Sequence, residues 1–178
     1  MKGTKAAGRY ALSLIDLAEE RKQVEEIKKD MELVSATIAE SRELDLLLHS
    51  PIIKTDKKKS VLKSVFEKAV QELTMSFMLT VTAKGRESLL TAIAEAFVSI
   101  YKERNGIVTA HVTTAVAMSD AQRKEVSQVL APLGSKIELV ETVDKHILGG
   151  MKVRVADQRV DASFRKKLNE LKYDIHNL

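Results

Sequence analysis

The spacing of the apolar residues changes near Asn105-Gly106, and this change limits the folds that the chain can adopt. Before it, apolar residues recur every three or four positions, which is the period of an amphipathic helix. After it, residues 107–116 are rich in Val and Thr, and residues 151–155 alternate between apolar and basic, as in strands. The pattern predicts an α+β protein, with a six-helix N-terminal bundle over residues 1–105 and a smaller α/β C-terminal domain over residues 106–178.

The predicted helices of the first half are separated by residues that favour helix ends. Ser50-Pro51 should end a short apolar run, because proline disfavours helix in the residue before it. Thr55 or Asp56 can cap the next helix, which we expect to continue to Ala69. Gly85 can end the fifth helix, since glycine readily adopts left-handed backbone. Short connections of this kind are typical of a helical bundle.

The second half is expected to contain three strands and two helices. The strands are predicted over residues 107–116, 137–143 and 151–155. Ser119 and Gln122 have the spacing of a capping box at the start of the first helix. Residues 160–163 should open the final helix, whose apolar stripe consists of Phe164, Leu168, Leu171 and Ile175.

The composition limits where the protein can act. Aromatic residues make up only 4% of the chain and Trp is absent, so the core must be aliphatic, which suits helix-on-helix packing. Without cysteine there can be no disulfides and no thiolate metal site. No apolar run approaches the ~20 residues that span a bilayer, so direct membrane insertion is not expected. We also expect no signal or transit peptide, which favours a bacterial protein.

Positive charge raises the question of nucleic-acid binding. The net charge of +4 is divided evenly between residues 1–105 and 106–178, unlike that of a strongly basic domain. The local excess lies in the lysines between Lys54 and Lys68. They can form a solvated helix face or a phosphate-binding patch. The second interpretation would make the chain a basic two-domain ribosome- or RNA-associated factor.

Motifs for catalysis are missing from the sequence. The four histidines are scattered and lack metal-ligand spacing, and no glycine-rich phosphate loop or nucleophile elbow occurs. We therefore expect a non-catalytic connector without cofactor or metal. Gly149-Gly150 precedes the alternating strand and can form a tight turn, a bulge, a close backbone approach or a ligand site.

Several segments of the sequence form a recognisable set. In the first half they lie in the opening helix, the proline turn, the turn before the sixth helix and the domain junction: Gly8-Arg9-Tyr10-Ala11, Ser50-Pro51-Ile52-Ile53, Lys84-Gly85-Arg86 and Tyr101-Lys102-Glu103-Arg104-Asn105-Gly106. In the second half the set consists of Gly149, Gly150, Lys152, Arg154, Asp161 and Ser163. Together these segments resemble the delta subunit of F-type ATP synthase, the family of the oligomycin-sensitivity-conferring protein, and the second set resembles the signature of that family. The chain has Ala156 where the family usually has Gly, Ser, Glu or Asn, which leaves the local turn geometry open.

The resemblance implies a stator connector that holds the catalytic hexamer still against rotor torque. One copy in a hetero-oligomeric complex would join the F1 alpha/beta hexamer to the peripheral stalk, at the cytoplasmic face of the bacterial cell membrane. Its N-terminal bundle would bind the N-terminal helix of an alpha subunit. Its C-terminal domain would bind the b subunits of the stalk.

The helix of the alpha subunit would lie in a groove between the first and fifth helices. Carried over by position, the groove residues are Tyr10, Ala11, Leu14, Ala18, Phe77, Met78 and Val81. Each of them can instead fill the bundle core. For Ala11 and Met78 the groove is favoured, because alanine permits close approach and methionine adapts to an irregular partner.

Overall fold

The structure is a computed structural model that describes residues 2–155 and 157–176. For residues 2–4, 133, 170, 171 and 173–176 only the backbone is described. The chain divides into two compact units, the first ending at Tyr101 and the second beginning at Lys102. Helices and a four-stranded sheet are both present, so the predicted mixed α+β class is confirmed.

Consecutive helices make up the first part of the chain: α1 (Lys2–Glu20), α2 (Val24–Glu40), α3 (Arg42–His49), α4 (Thr55–Phe66), α5 (Glu72–Ala83) and α6 (Leu90–Arg104). A single 3₁₀ turn, Glu87–Leu89, precedes α6. Helix α1 shows why these segments are helical. Its Ala7, Ala11, Leu14 and Ala18 recur every three or four residues, and all four are fully buried.

The helix ends agree with the sequence at α5 and differ at α4. Gly85 has a φ of 65°, and the N–H groups of Gly85 and Arg86 donate to the carbonyls of Thr82 and Val81, which closes α5 as predicted. The predicted caps of α4 are wrong. Lys54 occupies the N-cap position, with its carbonyl accepting from the amides that follow, and the helix ends at Phe66 rather than Ala69.

One lysine of the Lys54–Lys68 cluster points into the first unit. The Lys58 side chain is buried, and its Nζ donates to the Leu48 carbonyl at 2.9 Å and to Glu87 Oε1 at 2.5 Å. This ammonium therefore caps the C-terminal end of α3 and fixes the turn before α6. The prediction of a solvated lysine face was wrong for Lys58, because the Glu87 carboxylate, which is distant in the sequence, pairs with it inside the unit.

Two further polar contacts join α2 to later helices. Asp30 accepts hydrogen bonds from the Gln71 amide at 2.8 Å and from Thr74 Oγ1 at 2.6 Å, so a carboxylate of α2 caps the start of α5. Tyr101 of α6 donates to Glu25. This hydrogen bond, followed by burial, raises the pKa of Tyr101 to about 12, since both disfavour the phenolate.

The second unit is built around the sheet. Its elements are β1 (Ile107–Thr114), α7 (Asp120–Leu130), β2 (Lys136–Val143), β3 (Met151–Val155), β4 (Gln158–Asp161) and α8 (Phe164–His176). The strand order is β2-β1-β3-β4, with β1 and β2 parallel and the other two pairs antiparallel. The three predicted strands and the Ser119–Gln122 capping box are confirmed.

Strand β4 was missed by the sequence prediction. Residues 158–161 pair with β3 as a hairpin, so the expectation that residues 160–163 open the helix was wrong for Val160 and Asp161, whereas Ser163 directly precedes α8 and caps it. A strand of four residues with one apolar side chain has too short a pattern to detect. Of the predicted α8 stripe, Phe164 and Leu168 are exposed, and the side chains of Leu171 and Ile175 lie outside the described residues.

Helix α7 covers one face of the sheet. Val112, Met118 and Val126 form the core of the unit, and Leu130, Leu139, Met151 and Val153 pack against it. Arg123 of α7 donates to Glu141 of β2 at 2.5 Å and to Asp120 at 2.7 Å. The hydrogen bond from Arg123 lowers the pKa of Glu141, because it stabilises the carboxylate.

The Lys58–Glu87 pair gives a stability prediction. Lys58→Met should lower the free energy of unfolding by about 3–5 kcal/mol, because it leaves the Glu87 carboxylate buried and unpaired. Adding Glu87→Gln should recover most of the loss. Urea denaturation of the full chain measures both effects. The neighbouring Lys59→Met is the control, and its effect should stay within ~0.5 kcal/mol. A double variant as unstable as Lys58→Met would contradict the assignment.

Candidate functional site

The seven predicted groove residues fall into two sets. Ala11, Leu14, Ala18, Met78 and Val81 are each 0% exposed, so they lie inside the first unit. Tyr10 and Phe77 are partly exposed. Their rings meet edge to face, with centroids 6.4 Å apart and an interplanar angle of 72°. The structure thus joins α1 to α5 at one aromatic pair on the surface.

A small cleft lies beside this pair. It is lined by Arg9, Tyr10, Ser13 and Arg86. Arg9-Tyr10 belongs to the opening motif of the sequence and Arg86 to the turn after α5, so two motifs that are far apart in the sequence meet here. Sequence reasoning did not assign Arg9 or Arg86 to binding, although both stood within segments that it had singled out.

The double glycine of the C-terminal signature lies where the backbone approaches residues 162–164 closely. Leu148, Gly149 and Gly150 have φ angles of 64°, 148° and 75°. A Cβ on Gly149 would lie 2.5 Å from Phe164 Cδ2, and one on Gly150 would lie 2.4 Å from the Ala162 carbonyl oxygen. The Phe164 amide also donates to the Gly149 carbonyl at 3.0 Å. Glycine is therefore required here for the start of β3 to pack against the start of α8.

The other signature residues organise the same junction. The Ser163 amide donates to Asp161 Oδ1 at 2.9 Å, and the Lys166 amide donates to Ser163 Oγ at 3.3 Å, so Ser163 caps α8. Hydrogen bonds from Ser163 lower the pKa of Asp161, and the Lys152 ammonium, 3.7 Å away, adds to this shift. Arg154 is exposed and takes no part. Ala156, the departure from the family pattern, lies outside the described residues.

An apolar cleft opens between α7 and the β3–β4 hairpin. Its walls are almost entirely aliphatic: Val126, Val129, Leu130, Met151, Val153, Val155, Val160 and Ala162, with Glu125 and Gln158 beside them. Val129 is 72% exposed and Val160 65%, although both belong to this apolar surface. Sequence reasoning missed the cleft, because it depends on β4 and on which strands α7 leaves uncovered.

Neither a metal centre nor a membrane span is formed by the described residues. Among the side chains that the structure describes, no group of three or more His, Asp or Glu could hold a metal ion. Within residues 2–155 and 157–176, every helix is too short or too polar to cross a bilayer. The surfaces that stand out are instead the aromatic pair and the apolar cleft.

Known proteins resemble this chain over nearly its whole length. The family model described as ATP synthase delta (OSCP) subunit matches residues 6–175. ATP synthase subunit delta of Cytophaga hutchinsonii is 36% identical, over 97% of this chain and 94% of that protein. The corresponding protein of Caulobacter vibrioides, also an ATP synthase subunit delta, is 40% identical, over 97% and 95%.

The fold is shared with a solved structure. A chain of the Toxoplasma gondii mitochondrial ATP synthase hexamer, determined by cryo-electron microscopy, matches with a TM-score of 0.70 and 24% identity, over 95% of this chain and 96% of that chain. The chain belongs to the ATP synthase delta (OSCP) subunit family. The predicted family is thereby confirmed, together with a structural, non-catalytic role as stator connector. The RNA-associated alternative finds no support.

The double glycine gives a second stability prediction. Gly150→Ala should lower the free energy of unfolding by about 2–4 kcal/mol, because alanine is strained at positive φ and its Cβ would clash with backbone. Amide hydrogen exchange should show the loss in β3, β4 and α8. The matched control is Gly8→Ala in α1, where the space around the Cβ is open. That change should stabilise the chain by about 0.5–1 kcal/mol. Equal effects of the two changes would contradict the close approach.

Proposed function

We propose that each unit of this stator connector binds a different part of the ATP synthase. Helices α1–α6 act as one six-helix bundle that binds the N-terminal helix of an ATP synthase alpha subunit. The domain from residue 106 onward binds the b subunits of the peripheral stalk. One copy then bridges the catalytic hexamer and the stalk at the cytoplasmic face of the bacterial membrane. The observation that carries this proposal is family membership over residues 6–175, together with a surface aromatic pair in the first unit and an apolar cleft in the second.

The helix of the alpha subunit would contact Tyr10 and Phe77 first. Both rings are partly exposed, whereas the other five candidates are fully buried beneath the surface. Aromatic anchors supply large contact area to a helix that binds in a groove. Arg9 and Arg86 beside Tyr10 favour a guest helix that carries an acidic residue near its apolar stripe. Ala11, Leu14, Ala18, Met78 and Val81 then support the groove from below.

A stalk helix would occupy the apolar cleft of the second unit. A helix with its side chains is ~10 Å wide, and strands lie ~4.8 Å apart, so one helix covers only about half of a four-stranded sheet. The incompletely covered part here is β4 with the adjoining side of β3, where Val129 of α7 and Val160 of β4 remain exposed. A second amphipathic helix laid next to α7 would complete this layer. Glu125 at the edge favours a basic residue on the guest.

The groove proposal predicts that a double aromatic substitution weakens binding of the catalytic hexamer. Tyr10→Ala with Phe77→Ala should weaken binding of a peptide from the N-terminus of the alpha subunit by about 100-fold, as expected for two aromatic anchors. Isothermal titration calorimetry with the full chain measures this. Leu12→Ala, on an exposed part of α1, should change the affinity less than about twofold. Unchanged binding in the double variant would exclude the groove.

The cleft proposal predicts a separate loss of stalk binding. Val160→Asp should abolish measurable binding of a peptide from the C-terminal end of the b subunits, because it places a charge in an apolar contact. The matched control is Val116→Asp, since Val116 is 74% exposed and lies outside the cleft. Analytical ultracentrifugation of the full chain with this peptide distinguishes the two. Equal binding by both variants would contradict the proposed site.

A further inference from the structure

Basic side chains form a row across the sheet face opposite α7. His111 of β1 lies opposite Arg154 of β3, which in turn lies opposite Arg159 of β4. All three side chains are exposed. In the next row Lys152 lies opposite Asp161. The arginine row (His111, Arg154 and Arg159) thus crosses three strands on one surface, beside a shallow depression that the same residues line.

The two arginines of this row do not stabilise the sheet. Like charges directly opposite each other on neighbouring strands destabilise a sheet. Lys152 has Asp161 as its partner, at 3.7 Å. Within residues 2–155 and 157–176, no carboxylate pairs with Arg154 or Arg159. Two exposed arginine side chains therefore project from directly opposite positions of neighbouring strands.

We propose that the arginine row docks an acidic helix of a partner protein. Glutamates four residues apart on a helix lie ~5–6 Å from each other. Neighbouring strands are ~4.8 Å apart, so a helix that crosses the strands brings one carboxylate to each arginine. Arginine also binds carboxylates in a paired, two-bond geometry that lysine cannot reproduce. The cost of the uncompensated arginine pair is then removed on binding.

The composition of this face favours a protein over a nucleic acid. Surfaces that bind single-stranded nucleic acid add aromatic side chains on which bases stack. The depression is lined by His111, Thr113, Lys152, Val153, Arg154, Arg159, Val160 and Asp161, without Phe, Tyr or Trp.

The two arginines are separate from the apolar cleft proposed for the stalk. Val153 and Val160 line both the cleft and the depression, whereas Arg154 and Arg159 line only the depression and point to the face opposite α7. Successive residues of a strand alternate between the two faces. Charge reversal at the arginine row therefore leaves the cleft intact, and the two proposals fail separately.

Fluorescence anisotropy with a defined probe tests the proposal. The probe is a labelled, capped helical peptide of roughly 18 residues with glutamates every four positions, and the matched probe has glutamines there. The full chain should bind only the glutamate peptide, more weakly as NaCl rises. Arg154→Glu with Arg159→Glu should weaken binding by about tenfold or more. Lys57→Glu with Lys124→Glu, which changes the net charge equally, should have less than about a twofold effect.

Measuring Tm distinguishes a loss of peptide binding from a loss of folding. Arg159→Glu turns the repulsive pair into an attractive one and should raise Tm by roughly 2–5 °C while it weakens peptide binding. Equal loss in the two double variants would overturn the proposal. So would failure of the glutamate peptide to bind, a fall in Tm for Arg159→Glu, or tighter binding of oligothymidylate than of the peptide. The last result would mark the row as a phosphate surface.

Discussion

The surface of the second unit depends on a difference in width, because the helix α7 is narrower than the four-stranded sheet on which it lies. Helix α7 packs its Val126 against Val112 and part of β3, but it is too narrow to cover β4 as well. Apolar side chains such as Val160 therefore stay in contact with solvent until another element covers them. An open layer of this kind is expected in a protein whose purpose is to hold another protein.

The first unit differs from the second, because the apolar residues of its helices are buried against one another. The small and aliphatic residues of α1 are fully buried, and buried polar groups are joined in specific pairs such as Lys58 with Glu87 and Asp30 with Thr74. Only the Tyr10–Phe77 pair brings large aromatic side chains of α1 and α5 to the surface. The proposed docking site is consequently small, and its partner must supply the rest of the contact.

Local patterns predicted a large part of the fold. Gly85 and the Ser119–Gln122 capping box were identified correctly, because their chemistry acts within a few residues. The division into helical and mixed segments followed from hydrophobic period alone. The resemblance identified Gly149-Gly150 as diagnostic, and the structure adds the reason, since any Cβ there would meet Phe164 or the Ala162 carbonyl.

Features that depend on distant residues could not be predicted. Lys58 sits among exposed lysines in sequence, and only Glu87 and the Leu48 carbonyl make its burial possible. Strand β4 exists because β3 offers it an edge, since its own pattern is four residues long. The candidate groove residues share one helical face, but periodicity cannot distinguish Tyr10 on the surface from Leu14 in the core. The cleft and the arginine row likewise arise only when strands are placed side by side.

The proposed bridge between the catalytic sector and the stalk requires two separate binding surfaces on this chain. Rebinding of purified F1 to membrane vesicles that retain the stalk but lack F1 and this chain tests that requirement. We expect F1 to sediment with the vesicles only when the chain is added. We also expect the Tyr10→Ala/Phe77→Ala chain to stay on the vesicles while F1 remains in solution. Rebinding of F1 without the chain, or loss of both attachments in that variant, would exclude such a bridge.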